Sequence, residues 1–233
     1  MLAGSDRWAG FSLKGCRDVQ EDRYFVLDDW LLPGSRIGIV ADGHGGQDGD
    51  WAAEYVARRL PVLLQENGYS TLCPIQSLHH AIEIIDRDVK RRCHGGTTLV
   101  MVDLSPDRIV VAHVGDARAA FISQHCLTEI TADHHGTKGR ITRSIGDRKA
   151  EHILCTPDVR VLTWPLASRY MLLASDEVWR SLDDRLWSSR RIATALCQPT
   201  VKQARDALRM LLTEDHQIEN ATALFLDVST PTG

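Results

Sequence analysis

The stretch Arg36-Ile-Gly-Ile-Val-Ala-Asp-Gly-His-Gly-Gly46 constrains this chain more than any other. Its apolar run, Ile37 to Ala41, predicts a buried strand. The run stops at Asp42, followed by Gly43, His44 and two more glycines. Glycines let a backbone turn sharply and come close to a ligand. A carboxylate and an imidazole are thus delivered together at a strand end. Asp-Gly alone is a common turn dipeptide. The whole string after an apolar strand is far less common by chance and points to a site.

The rest of the pattern alternates short strands and helices. Strands are expected at Arg23–Leu27, Thr98–Val102, Ile109–Val114, Arg118–Ser123, Val159–Thr163 and Tyr170–Ala174. Ser105-Pro106-Asp107 makes the second and third of these a hairpin. Ala221–Val228 is apolar almost throughout, which suits a central closing strand. A helix is expected over Trp51–Leu64, with Ala52, Val56, Leu60 and Leu63 on one face and a kink or early end at Pro61. Ile75, Leu78, Ile82, Ile85 and Val89 mark the clearest helix, stopped by Gly95-Gly96. Another is expected from about Asp183 to Cys197. The last starts at Thr200, a plausible cap, with Val201, Ala204, Leu208 and Leu211 inward. Asp133 to Lys138 reads as a polar loop. Strands adjacent in sequence favour antiparallel pairing with helices outside. No stretch has linker composition and no repeat is present, so residues 1–233 read as a single domain.

Composition removes several function classes. A hydrophobic share of 43% with 25% charged is ordinary for a soluble globular protein. A net charge of −4 leaves no basic footprint for nucleic acid. No apolar run approaches the roughly 20 residues that span a bilayer. The opening Met-Leu-Ala-Gly-Ser-Asp-Arg-Trp lacks the pattern of a signal peptide. None of the six cysteines forms a Cys-x-x-Cys pair, which argues against zinc and for reduced thiols in a cytoplasm.

Acids recur at the strand ends. Asp22 precedes the first strand and Asp42 ends the second. Asp116 follows Ile109–Gly115, Asp176 follows Met171–Ser175, and Glu219 and Asn220 precede the last strand. Carboxylates that converge repel unless protonated or neutralised by a cation. Oxygen donors of this kind favour Mg²⁺ or Mn²⁺ over zinc.

These acids sit in seven short strings: Gly15-Cys-Arg17-Asp-Val-Gln-Glu21-Asp22, Asp42-Gly-His-Gly-Gly46, Gly96-Thr-Thr98, Val114-Gly-Asp-Ala-Arg118, Arg143-Ser-Ile-Gly-Asp147, Leu173-Ala-Ser-Asp176 and Glu219-Asn-Ala-Thr222. In order and content they resemble the motifs of the PP2C-like (PPM) family, the metal-dependent Ser/Thr protein phosphatases. That resemblance implies an α+β fold: a four-layer α-β-β-α sandwich of two mainly antiparallel sheets flanked by helices. It implies two Mn²⁺ or Mg²⁺ ions, with a third in many members. Asp42, the Gly43 carbonyl, Asp176 and Glu219 would be the metal ligands, with Asp22 beside the metals and Asp116 serving the third. Arg17 would hold the substrate phosphate, and His44 would protonate the leaving Ser or Thr oxygen. The implied reaction is hydrolysis of phosphoserine or phosphothreonine in a protein by a metal-activated water, opposing a Ser/Thr kinase, with no nucleic-acid or membrane partner.

Three departures from the family pattern stand out. Glu177 replaces the Gly that follows the metal-binding Asp. Glu219 replaces an Asp and is one methylene longer, which implies a preference for Mn²⁺ over the geometrically stricter Mg²⁺. The stretch between Asp116 and Asp147 is short, so the family's flap is expected to be reduced. These three departures also leave room for a catalytically weak relative that binds or regulates phosphoproteins. Asp133-His134-His135 matches the letters of the DHH phosphoesterases but lacks a preceding apolar strand. Gly10-Phe-Ser-Leu-Lys lacks the second Gly of a hydrolase nucleophile elbow.

Overall fold

The computed structural model describes residues 2–46, 48–69, 73–136, 140–148, 155–184, 188–213 and 218–229. In chain order the elements are β1 (Leu2–Gly4), β2 (Trp8–Leu13), β3 (Arg23–Asp28), β4 (Arg36–Ala41), β5 (Gly43–His44), α1 (Gly49–Glu66), α2 (Pro74–Arg92), β6 (Gly96–Thr97), β7 (Leu99–Ser105), β8 (Arg108–Val114), β9 (Arg118–Ile122), β10 (Leu127–Glu129), β11 (Asp158–Leu162), β12 (Tyr170–Ala174), α3 (Asp176–Asp184), α4 (Ser189–Leu196), α5 (Val201–Thr213) and β13 (Ala221–Asp227).

They divide between two compact units. The first comprises Met1–Gln20, Arg118–Ala132 and Trp164–Gly233; the second comprises Glu21–Ala117 and Asp133–Thr163. The first unit holds a sheet of order β1-β2-β13-β12-β9-β10, antiparallel at every pairing. Its core joins Phe11, Ala120, Leu172 and Phe225 of the sheet to Val178, Leu196 and Leu208 of the three helices. The second unit holds the antiparallel sheet β11-β8-β7-β4-β3 and the short pair β5-β6. Ile37, Ile39, Leu99 and Met101 pack there against Val56, Leu60, Ile82 and Ile85 of α1 and α2. The fold is therefore α+β, with two antiparallel sheets flanked by helices, as the sequence implied.

Several local expectations hold. β13 lies between β2 and β12, a central position for an apolar strand. β7 and β8 form the expected hairpin. Thr200 caps α5 through its hydroxyl, which accepts from Gln203 N at 3.2 Å, while Gln203 Oε1 accepts from Thr200 N at 3.1 Å. This reciprocal pair is a capping box.

Others need correction. α1 runs on to Glu66 with Pro61 inside it. Pro61 is buried, as are Leu60, Leu63 and Leu64 around it. Packing of that face keeps the helix going past a lost backbone bond. Ile75 is 51% exposed and does not join the inner face of α2. The helix expected over 183–197 is two: α3 begins earlier, at Asp176, and α4 starts after Ser188, whose hydroxyl caps Arg191 N. β1, β2 and β10 went unforeseen, being short or interrupted by Gly10. Residues 137–138 of the expected loop and 185–187 of the expected helix lie outside the described residues.

One buried acid pins the second unit. Asp103 on β7 is 0% exposed. It accepts from Trp30 Nε1 at 3.1 Å, Tyr69 Oη at 3.2 Å and Ser105 Oγ at 3.0 Å. Trp30 precedes β4 and Tyr69 follows α1, so one carboxylate ties the sheet to both connections. Burial raises the Asp103 carboxyl above its ordinary range, although the three donors favour its anion. A raised folded pKa gives stability that is present at low pH and falls as pH rises through that value. In urea unfolding between about pH 4 and pH 7, the stability of wild type relative to Asp103→Asn should fall as pH rises, a difference in which the other titrating groups cancel. Asp103→Ala should cost about 2–3 kcal/mol, because it strands the Trp30 and Tyr69 donors in the core.

Candidate functional site

In the second unit, the end of β4 is clamped through its backbone. The Asp42 carbonyl accepts from Thr98 N at 2.9 Å and Thr97 Oγ1 at 3.0 Å, and Asp42 N donates to Thr98 Oγ1 at 3.3 Å. The Gly96-Thr-Thr98 string thus orients Asp42, a role that its sequence does not announce. Gly43 has no room for a side chain: a Cβ would lie 2.3 Å from the Gly49 carbonyl oxygen and 2.8 Å from that of Glu21. His44 pairs with Gly96 in the β5-β6 ladder. Its Nε2 lies 2.6 Å from Ser144 Oγ. The Ser144 hydroxyl donates to the Thr97 carbonyl at 3.3 Å, leaving its lone pair to accept the His44 Nε2–H. Ile145 pairs with Thr97 through two backbone bonds of 2.9 Å. The Arg143–Asp147 string is therefore the brace of His44.

Asp22 is 1% exposed, just ahead of β3. Asp116 follows β8 and is buried; its Oδ2 lies 3.0 Å from His135 Nε2. His134 serves the backbone instead. Its Nδ1 accepts from Gly115 N at 3.0 Å, which leaves Nε2–H to donate to Asp158 at 3.1 Å. Burial disfavours the Asp158 charge, but His134 and Arg143 bind its anion, and the carboxyl ends below its ordinary range. His113, its ring centroid 4.4 Å from that of His134, is pushed down to about 3 by burial and by His134. The Asp133-His134-His135 loop is thus a scaffold for the Gly115-Asp116 turn.

In the first unit, Asp176 opens α3 directly after β12. Arg180 donates from Nη2 to Asp176 Oδ2 at 2.5 Å and from Nη1 to Glu177 Oε2 at 2.7 Å. The Glu177 side chain is 9% exposed, and its Oε1 accepts from Glu219 N at 3.3 Å. Burial raises the Glu177 carboxyl, and the Glu219 N–H and Arg180 oppose that rise. Arg17 Nη2 binds Glu219 Oε2 at 2.5 Å. Asn220 Nδ2 donates to the Lys14 carbonyl at 2.8 Å and the Val19 carbonyl at 3.0 Å. Gly15, at φ +61°, abuts the 218–219 backbone so closely that a Cβ would lie 2.1 Å from the Ile218 carbonyl oxygen. The opening and closing strings of the chain are therefore one interlocked turn.

The sequence-predicted residues thus fall into two sets. Asp22, Asp42, Gly43, His44 and Asp116 belong to the second unit; Arg17, Asp176 and Glu219 belong to the first. Among the described residues, no group of three or more His, Cys, Asp or Glu stands ready-made to hold a metal ion. The candidate donors are all oxygens, which suits a hard divalent cation. Two of them, Asp176 and Glu219, already hold arginines, so a cation there would replace a guanidinium.

The protein phosphatase 2C model matches residues 9–140, more than half of the chain. The chain belongs to the protein phosphatase 2C family. It is 29% identical over 216 residues to protein phosphatase 1L of Bos taurus, covering 73% of this chain and 59% of that one. It is 28% identical over 219 residues to probable protein phosphatase 1N of Homo sapiens, covering 76% and 50%. The chain thus spans about half to three-fifths of the length of these relatives. Among solved structures, a bacterial serine phosphatase superposes with a TM-score of 0.80 at 22% identity, over 97% of this chain and 99% of that one. The catalytic domain of PstP in complex with two manganese ions superposes with a TM-score of 0.72 at 24% identity, over 95% and 97%. Within this protein phosphatase 2C chain, sequence reasoning named Asn220 without its role and missed Ser144 and Arg180. Arg180 stands four residues after Asp176, and a helix begun at Asp176 rather than Asp183 would have exposed it.

Proposed function

We propose that this protein is a metal-dependent protein Ser/Thr phosphatase, hydrolysing phosphoserine and phosphothreonine by direct attack of water, with residues 1–233 acting as one catalytic domain. The observation that carries the reading is the clamped Asp42 at the end of a buried strand, with His44 braced by Ser144 two residues on. Asp42, the Gly43 carbonyl, Asp176 and Glu219 would hold two Mn²⁺ or Mg²⁺ ions, with Asp22 beside them and Asp116 serving a third. Bound metal supplies charge neutralisation and an activated water for in-line displacement at phosphorus. Arg17, half-exposed, grips phosphate oxygens with its planar fork and must leave Glu219 to do so. His44 must release Ser144 to turn its Nε2–H to the leaving Ser or Thr oxygen, to which it gives that proton. The partner is a phosphorylated protein, opposing a Ser/Thr kinase. All six cysteines are free, which supports a reducing, cytoplasmic setting. The arginines on Asp176 and Glu219 favour one second reading, a weakly active phosphoprotein-binding module.

Hydrolysis of a phosphopeptide with Mn²⁺, with Mg²⁺ and with chelator decides between them. Turnover should require metal and fall more than roughly 100-fold in Asp42→Ala and in Asp176→Ala, beyond the range for outer-shell partners. No turnover with metal bound would favour the binding module.

His44→Ala should slow phosphopeptide turnover by roughly 10²–10⁴-fold. Hydrolysis of p-nitrophenyl phosphate should suffer less, since nitrophenolate leaves without a proton. Equal losses on both substrates would remove His44 as the acid.

The longer Glu219 side chain should make Mn²⁺ the better activator, and Glu219→Asp should narrow the gap to Mg²⁺. Equal activity with both ions in both proteins would contradict this.

A further inference from the structure

The Arg180 contacts raise a question that the proposed chemistry leaves open. Family resemblance puts a Gly after the metal-binding Asp, and this chain puts Glu177 there. An added carboxylate beside Asp176 could serve as one more metal ligand or repel a phosphate. The structure uses it otherwise. Glu177 is nearly buried, and both of its oxygens are engaged, Oε1 by Glu219 N and Oε2 by Arg180. It cannot turn toward a metal without giving up the Glu219 N–H. Arg180 spans the two acids at spacings of three and four residues on one helix, where side chains meet. Its guanidinium is a rigid fork, so one cation satisfies both carboxylates. The strand-end acid most needed for metal is therefore already neutralised by the chain.

We propose that Arg180 is a resident counter-cation that competes with metal for Asp176, and that Glu177 anchors it there. This rests on Asp176 being a metal ligand. A metal arriving at Asp176 displaces the Nη2 contact, while Nη1 keeps its hold on Glu177. Arg180 then stays within reach and returns when the metal leaves. The device lowers metal affinity without removing a ligand, so occupancy follows the free metal concentration. It also keeps the metal-free first unit from carrying adjacent bare carboxylates.

The test is Mn²⁺ binding, read from the electron paramagnetic resonance signal of free Mn²⁺, which needs no turnover. The proteins are wild type, Arg180→Ala, Arg180→Lys and Asp176→Asn. Arg180→Ala should tighten the weaker Mn²⁺ site about threefold to tenfold, the range for losing one ordinary hydrogen-bonded contact at a half-exposed site. Arg180→Lys keeps the charge but not the fork, and it should tighten the site by a smaller factor. The gain should shrink at high salt, where ion pairs are screened. Unchanged or weaker binding in Arg180→Ala, or wild-type binding in Arg180→Lys, would overturn the proposal. In wild type, Mg²⁺ should shift the Arg180 guanidinium NMR signals along the binding curve, and signals that stay fixed would also overturn it. Asp176→Asn separates the two claims. If it binds Mn²⁺ like wild type, the ligand assignment itself fails. If it loses binding while Arg180→Ala gains nothing, only the counter-cation fails.

Discussion

Charge neutralisation of strand-end carboxylates governs this molecule. An acid buried or crowded at a strand end is costly unless a positive charge or a donor answers it. Asp116 meets His135, Glu219 meets Arg17, and Asp176 meets Arg180. The two arginine contacts are not large sources of stability, since exposed pairs are worth about 0–1 kcal/mol. The importance of these contacts is that they make these acids tolerable in each unit. Under the proposed chemistry, a divalent cation would take over from these partners.

The second demand is aim. A carboxylate helps only if its backbone is fixed, and the short strings around each acid do that fixing. Thr97 and Thr98 hold Asp42, and His134 holds the Gly115-Asp116 turn. Beside Asp176, Ser175 N donates to the Thr222 carbonyl and Thr222 N donates to Ser175 Oγ, both at 3.0 Å. Asn220 ties the last string to the loop bearing Arg17. Residues that look decorative in the strings are the rigid support of the acids. Such support is what separates a site from a set of nearby polar groups.

Legibility followed the range of the physics. β4, β12 and β13 are apolar runs whose burial is local information, and all three were readable. The inner face of α2 was readable from its 3.6-residue period, apart from Ile75 in the first turn. The fate of Pro61 was not, because the packing that carries α1 past it comes from other elements. The acids and His44 stood out as residue types at strand ends. The clamps did not: Ser144 and His44 are 100 residues apart, and Asn220 and Lys14 are 206 apart. No window of sequence contains such a pair, so only a fold can reveal it.

Glu177 shows how a departure from a family pattern becomes readable once its partners are known. By charge alone it is a liability beside Asp176 and Glu219. Its effect depends on two donors at very different range, Arg180 three residues away and the Glu219 backbone 42 residues away. The near donor is visible in sequence as soon as a helix is begun at Asp176. The far donor is visible only when β12 and β13 pair, which brings Ser175 against Thr222 and the 218–220 turn alongside. With both donors in place, the added carboxylate stops being a spare ligand. It becomes the fixed end of an ion pair whose movable end is Asp176. The charge that Glu177 adds beside Asp176 is therefore compensated inside the same helix turn.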